Sequence, residues 1–194
     1  MQKRNATCAV IGAGDYIGGE IAKKFAAEGF TVFAGRRDGA KLEPLVKEIE
    51  AAGGSIVART LDARKEDEVA AFLNDADRHA PLEVCIFNVG ANVNFPILET
   101  TDRVFRKVWE MACWAGFLAG RESARLMLPR GRGSIFFTGA TASLRGGSRV
   151  KVILGNQRRR NLPLSREKGV YWAPSMRKGR IIASALSAIM PGPS

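Results

Sequence analysis

The sequence predicts an α/β protein built on a doubly wound parallel sheet, and three observations predict it. Over positions 1–148, short β-rich apolar runs alternate with longer amphipathic stretches. The runs are apolar almost throughout rather than at every second residue, the pattern of strands buried on both faces. A glycine-rich turn, IGAGDYIG (11–18), joins the first run to the first amphipathic stretch.

TCAVIG (7–12) reads as a buried strand, and IGGEIAKKFAAEG as a helix with Ile17, Ile21, Ala22 and Phe25 at helical spacing and Gly29 as its stop. TVFAG (31–35) is the second strand, followed by a helix through KLEPLVKEIEAAGG that ends at Gly53-Gly54. SIVARTLD (55–62) is the third strand. Lys65 to His79 is a helix whose leading acidic residues suit its positive end. LEVCIFNVG (82–90) is the fourth strand, TTDRVFRKVWEMACWAGFLAGRESARLML one long helix, and GSIFFTG (133–139) the fifth strand. Strands and helices in this alternation imply right-handed crossovers and helices on both faces. No internal repeat is visible.

The pattern stops after Ser148. RVKVIL could extend as a short strand, but NQRRRNLPLSREKG has no periodicity, and IIASALSAIM ends at Pro-Gly-Pro-Ser. The division expected is therefore a domain over 1–148, incomplete at its C-terminal end, and a basic, irregular tail over 149–194. Charge divides at the same place. The chain is +11 overall, but from Arg149 onward it holds ten Lys/Arg against the single acid Glu167. The first 148 residues hold 20 Lys/Arg and 18 Asp/Glu, so the body is a near-neutral globular domain and the basicity belongs to the tail.

Other features exclude whole classes of function. No apolar run approaches a membrane span, and MQKRNATCAVIGAG enters the first strand with no leader pattern. His79 is the only histidine, which argues against a histidine triad or a His-rich metal site. Cys8, Cys85 and Cys113 are odd in number and widely spaced, with no CxxC or Cys/His cluster. They read as free thiols in a reducing cytoplasm, and no metal site is expected.

Gly12-Ala13-Gly14-Asp15-Tyr16-Ile17-Gly18 follows a strand and opens a helix. In that position glycines let the backbone pass close to a diphosphate, and the helix N-terminus supplies unpaired N–H donors and a positive dipole end. A plain Gly-rich strand–helix turn is the alternative, and the βαβ context favours nucleotide binding. In this fold an acid at the end of the second strand usually takes the ribose 2′-hydroxyl of NAD. Here the strand ends Gly35-Arg36-Arg37, with Asp38 after it. Two guanidinium groups suit a 2′-phosphate and make NADP the expected cofactor over NAD; the alternative is solvated loop charge.

With these motifs in place the sequence resembles the short-chain dehydrogenase/reductase family over roughly residues 6–148. IGAGDYIG resembles that family's TGxxxGxG, with Gly12 and Gly18 on its outer glycines, Ile11 where Thr is usual and Tyr16 where the middle glycine is usual. A ring at Tyr16 would crowd the ribose side of a cofactor. By the same resemblance, Asp62 in LDAR (61–64) faces the adenine, and Phe87-Asn88-Val89-Gly90 matches the NNAG motif that borders the cofactor. Glycine at position 90 also permits close backbone approach. The cofactor-binding set is thus Gly12, Gly14, Tyr16, Ile17, Gly18, Arg36, Arg37, Asp62, Asn88 and Gly90.

The resemblance implies catalysis by a Tyr made acidic by a Lys four residues on, a Ser that polarises the carbonyl, and an Asn that organises a proton relay. A phenol with a pKa of about 10 needs a nearby cation to act as base at neutral pH. The Asn position falls at Ala112 or Cys113. The Ser position falls near Thr141, with Ser143 close by, and loop hydroxyls capping backbone groups are the alternative for both. No Tyr-x-x-x-Lys follows Gly146-Gly147-Ser148. The later Tyr171 has Ser175 four residues on, with Pro174 between.

Three readings of the tail compete: a basic extension for nucleic acid or an acidic partner, a divergent closing unit of the sheet, or translation in a wrong frame or from aberrant splicing. The charge shift at one point and the loss of pattern just before the expected catalytic helix favour the third. Nucleic acid is disfavoured, because only Tyr171 and Trp172 accompany the arginines.

The family implies homo-oligomers packed through the long helix. Without closing elements, Phe105, Val108, Trp109 and Phe117 lose cover and the fifth strand becomes a sheet edge, which argues against orderly assembly. The function expected is NADP-dependent oxidoreduction of a small alcohol/carbonyl pair in the cytoplasm. The alternatives are a non-catalytic dinucleotide-binding regulator and a nucleic-acid binder acting through its tail.

Overall fold

Valine, isoleucine, phenylalanine and cysteine dominate the runs that form strands, and those strands assemble into one sheet. The structure is a computed structural model that describes residues 3–90 and 97–139. Its strands are β1 (Thr7–Ile11), β2 (Thr31–Arg36), β3 (Ser55–Thr60), β4 (Leu82–Phe87) and β5 (Ser134–Phe137). They lie in the order β3-β2-β1-β4-β5, every neighbouring pair parallel. All five residues of β1 are buried, which suits the centre of a sheet covered on both faces.

Parallel neighbours need crossovers, and helices supply them. They are α1 (Ile17–Ala27), α2 (Glu43–Ala51), α3 (Glu66–His79), α4 (Asp102–Trp109) and α5 (Ala115–Met127). Alternation along β1 assigns its side chains to two cores. Cys8 and Val10 join Val32, Ala34 and Ile86 beneath Ala22, Ala26 and Ile49 of α1 and α2. Ala9 and Ile11 join Phe33, Cys85 and Phe87 beneath Val69, Phe72 and Leu73 of α3 and Leu118 and Ala119 of α5. Each large side chain so buried stabilises the fold by roughly 1.5–3 kcal/mol.

Helix ends follow their local chemistry. Glu66, Asp67 and Glu68 occupy the first turn of α3, and Arg78 and His79 its last, both favourable to the helix dipole. Thr101 accepts the Val104 N–H at the start of α4.

The long helix differs from expectation in one respect. Between α4 and α5 the chain makes a π-helical turn over Glu110–Trp114. Such a turn inserts an extra residue and re-aims every side chain beyond it. The turn stacks Trp109 on Trp114 and Trp114 on Phe117, with centroids 6.5 and 5.7 Å apart. The Trp114 indole N–H donates to the Arg64 carbonyl at 3.1 Å, tying the turn to the loop after β3.

Cover over the long helix is uneven. Phe105, Trp109 and Phe117 are 41–43% exposed, whereas Val108 is buried, contrary to its expected loss of cover. Among the described strands β5 is at the edge. The boundary at 148/149 and the whole tail 149–194 lie outside the described residues. Among the described residues no helix is long and apolar enough to cross a membrane.

Candidate functional site: a cleft at the carboxyl edge of the sheet

Register brings the site together. Ile11 at the end of β1 is level with Gly35 of β2 and with Phe87 of β4. Gly12 and Asn88 therefore leave the sheet side by side, next to Arg36, the last residue of β2. Strand order reverses direction here, with β2 on one side of β1 and β4 on the other, and a crevice opens at such a switch point. It is a cleft of about 450 Å³.

The floor is the turn after β1. Gly12 has φ +91°, and a Cβ there would lie 2.7 Å from the Asn88 carbonyl oxygen, so only glycine fits. The Gly12 N–H donates to the Gly35 carbonyl at 2.8 Å, and the Asn88 side-chain amide donates back to the Gly12 carbonyl at 3.1 Å. Gly18, in the first turn of α1, is pinned from behind: a Cβ there would run into the same Gly12 carbonyl oxygen. Gly14 faces open space, where an added Cβ would meet nothing within 4 Å. No side chain caps the N-terminus of α1, so its first N–H groups remain for a ligand. The turn therefore has the room and the donors that a dinucleotide's diphosphate requires.

One wall is the end of β2 and the short 3₁₀ turn Gly39–Leu42. Arg36 is drawn toward the glycine turn, where its Nη1 donates to Asp15 Oδ1 at 2.8 Å and to the Lys41 carbonyl at 3.4 Å. Lys41 in turn pairs with Asp38 at 3.3 Å. Arg37 is exposed and has no ion pair among the described residues.

The opposite wall is the loop after β3. Asp62 is gripped from both sides of its carboxylate by Arg64, Nε to Oδ1 at 2.9 Å and Nη2 to Oδ2 at 2.6 Å. The Arg64 guanidinium holds the Asp62 carboxyl down at about 2, against the opposing effect of burial. Both carboxylate oxygens are thus engaged, and Arg64 is brought to the cleft wall beside Ala63. Met111 reaches the cleft from the π turn.

Of the residues expected to bind a cofactor, Gly12, Gly14, Arg36, Arg37, Asp62, Asn88 and Gly90 line this cleft. Gly18 supports it from behind. Ile17 and Tyr16 are not among the lining residues, and Tyr16, expected to crowd the ribose side of a cofactor, is 81% exposed. Thr141 and Ser143 lie outside the described residues. Sequence reasoning missed Arg64, Lys41 and Met111. The Asp-x-Arg spacing of 62–64 was a usable signal for the first of these. Among the described residues no group of His, Cys, Asp and Glu could hold a metal ion.

A glycine turn against a helix N-terminus, at the switch point of a parallel sheet, places the chain among the dinucleotide-binding α/β proteins. The match is closer than that class. The model of the short chain dehydrogenase family fits residues 6–152, and the chain belongs to that family.

A crystal structure of a short-chain dehydrogenase from Rhodopseudomonas palustris is 87% identical, covers 74% of this chain and 68% of its own, and superposes with a TM-score of 0.72. An actinorhodin polyketide ketoreductase variant with NADPH is 27% identical, with a TM-score of 0.71 over 76% of this chain and 59% of its own. A galactitol 2-dehydrogenase (L-tagatose-forming) from Cereibacter sphaeroides is 35% identical over 136 residues, 70% of this chain. The chain spans about half the length of such relatives, 52% in that case.

Proposed function

We propose that the chain binds NADP(H) in this cleft and serves oxidoreduction of a small alcohol/carbonyl pair in the cytoplasm. The observation that carries the reading is the turn at 12–18. It combines a positive-φ glycine held against the Asn88 carbonyl, open space above Gly14 and an uncapped helix N-terminus. The N–H groups of that helix end would hold the diphosphate, and Arg37 and Arg36 the 2′-phosphate. Gly90 and Val89 would border the remainder of the molecule. When bound, the nicotinamide supplies hydride transfer; this chain's residues bind and orient it.

A relative with NADPH at 27% identity supports the choice of cofactor, as does the NADPH-dependent 1-acyldihydroxyacetone phosphate reductase of Saccharomyces cerevisiae at 29%. The test is a fluorescence titration with NADPH and NADH. Saturable binding with NADPH the tighter ligand is expected, and absence of binding to either overturns the reading.

One observation favours a second reading, binding without turnover. No Tyr-x-x-x-Lys occurs anywhere in the 194 residues, and Ala112 and Cys113 stand where the family's relay Asn is expected. A panel of carbonyl substrates with NADPH separates the two, since cofactor oxidation supports the first and saturable binding without oxidation the second.

A further inference from the structure

Among the described residues, every cation lining the 2′-phosphate side of the cleft except Arg37 is matched by a carboxylate. Arg36 is held by Asp15 at 2.8 Å and Lys41 by Asp38 at 3.3 Å. The two pairs differ in reach. Asp38 and Lys41 are three residues apart on one turn, whereas the Asp15–Arg36 pair spans the gap between the glycine turn and the end of β2. Arg36 is the better buried partner, 22% exposed at its side chain, and it gives a second hydrogen bond to the Lys41 carbonyl. Asp15 is 71% exposed and has no other ion pair among the described residues. Its position is therefore set by Arg36 rather than by packing.

Resting on the reading of this cleft as an NADP(H) site, we propose that Asp15 is a specificity-determining residue, a latch on Arg36 that a 2′-phosphate must either displace or lie against. A phosphomonoester near neutral pH carries close to two negative charges. Asp15 and the Lys41 carbonyl both accept from Nη1 of Arg36. A phosphate gripped through Nη1 must therefore displace the Asp15 carboxylate, and one gripped through the other guanidinium donors must lie beside it, a like charge. A dinucleotide without that phosphate makes no such demand. Asp15 thus narrows the preference that two adjacent arginines would otherwise give, and Arg37, free of any ion pair among the described residues, makes the first contact with the phosphate.

The test uses the full 194-residue chain, with NADPH and NADH titrated by fluorescence and 2′,5′-ADP as a competitor lacking nicotinamide. Asp15→Asn is expected to tighten NADPH and 2′,5′-ADP by about fivefold, the scale of one exposed ion pair plus the removed repulsion. NADH should change by less than about twofold. The gain should shrink in 0.5 M salt, about a half-nanometre screening length, and vanish in an Arg36→Ala background, because the latch acts through Arg36. Equal tightening of both dinucleotides, no change in either, or a gain that persists without Arg36 overturns the proposal while leaving the cleft's function standing. If the unmodified chain binds neither dinucleotide, the cleft reading fails and the latch with it.

Discussion

The two sides of the cleft are made differently. The side formed by the Gly12 turn, the end of β2 and the N-terminus of α1 is built from backbone: a positive-φ glycine, a register that levels Ile11 with Gly35, and unpaired N–H groups. The side at the π turn depends on side chains: Met111 lines the cleft, the Trp109–Trp114–Phe117 stack lies outside the lining, and Ala112 and Cys113 stand where a polar relay residue is expected. Backbone geometry can accept a phosphate whatever the neighbouring side chains are. Proton transfer depends on which side chains are present. A chain can therefore keep the first capacity complete while the second is in question.

The most severe way to break that contrast is to spoil the backbone side. Gly18→Ala forces a Cβ into the Gly12 carbonyl, which cannot move without disturbing Asn88. We expect a loss of about 3 kcal/mol in urea unfolding and a fall in NADPH affinity of about 100-fold, equivalent to ~3 kcal/mol. Unchanged NADPH affinity would show that the turn does not seat the diphosphate. Next in size is Arg37→Ala. Loss of one charge-assisted contact, about 1.5–3 kcal/mol, should weaken NADPH by roughly tenfold or more. NADH binding should stay where it was. Equal weakening of both would move Arg37 away from the 2′-phosphate.

Asp62→Asn is a smaller perturbation and sharpens the comparison at the wall formed by the loop after β3. The folded carboxyl sits at about 2, below the ordinary 3.8 of an aspartate, so its pairing with Arg64 stabilises the fold above pH 4. That contribution fades as pH falls through about 2, where the carboxyl is protonated in both states. With Arg64 about a third exposed, the loss on Asp62→Asn should be about 1–2 kcal/mol at pH 7. It should fall to roughly half at pH 3, by urea melts at each pH. A difference independent of pH would mean that the pair is not what holds this loop.

How far the sequence announced all this follows the same division. Gly12 and Gly14 could be placed at the cleft from the glycine-rich turn between strand and helix, Arg36 from its place at the end of the second strand, and Asn88 and Gly90 from the resemblance of FNVG to the family's NNAG. The five strands and the helices between them are legible because unbroken apolar runs and apolar residues at a period of 3.6 are local signals. What escaped depended on contacts between distant segments. Nothing local marks Trp114 as the partner of the Arg64 carbonyl, 50 positions away, or Arg36 as the partner of Asp15. The π turn escaped because MACWAG continues a helical pattern and the extra residue leaves no compositional trace. Tyr16, at the start of α1 within the glycine motif, is 81% exposed and does not line the cleft.

The smallest effect concerns the side-chain half and tests whether it is uncoupled from the cofactor half. Cys113 is exposed on the π turn, whereas Cys8 and Cys85 are buried on β1 and β4. Burial raises both buried thiols, Cys85 to about 11 and Cys8 well above its ordinary value, so neither carries thiolate at neutral pH. An aromatic disulfide reagent should therefore release one equivalent quickly from the folded chain and two more only in denaturant. Cys113 is not among the residues lining the cleft, although Met111, two positions away, is. Labelled chain should accordingly bind NADPH within about twofold of unlabelled chain, less than the loss of one ordinary hydrogen bond. Were labelling to abolish binding, the two sides of the cleft would be mechanically linked through the π turn. The tie would then be the Trp114–Arg64 hydrogen bond, and Trp114→Phe should reproduce the loss.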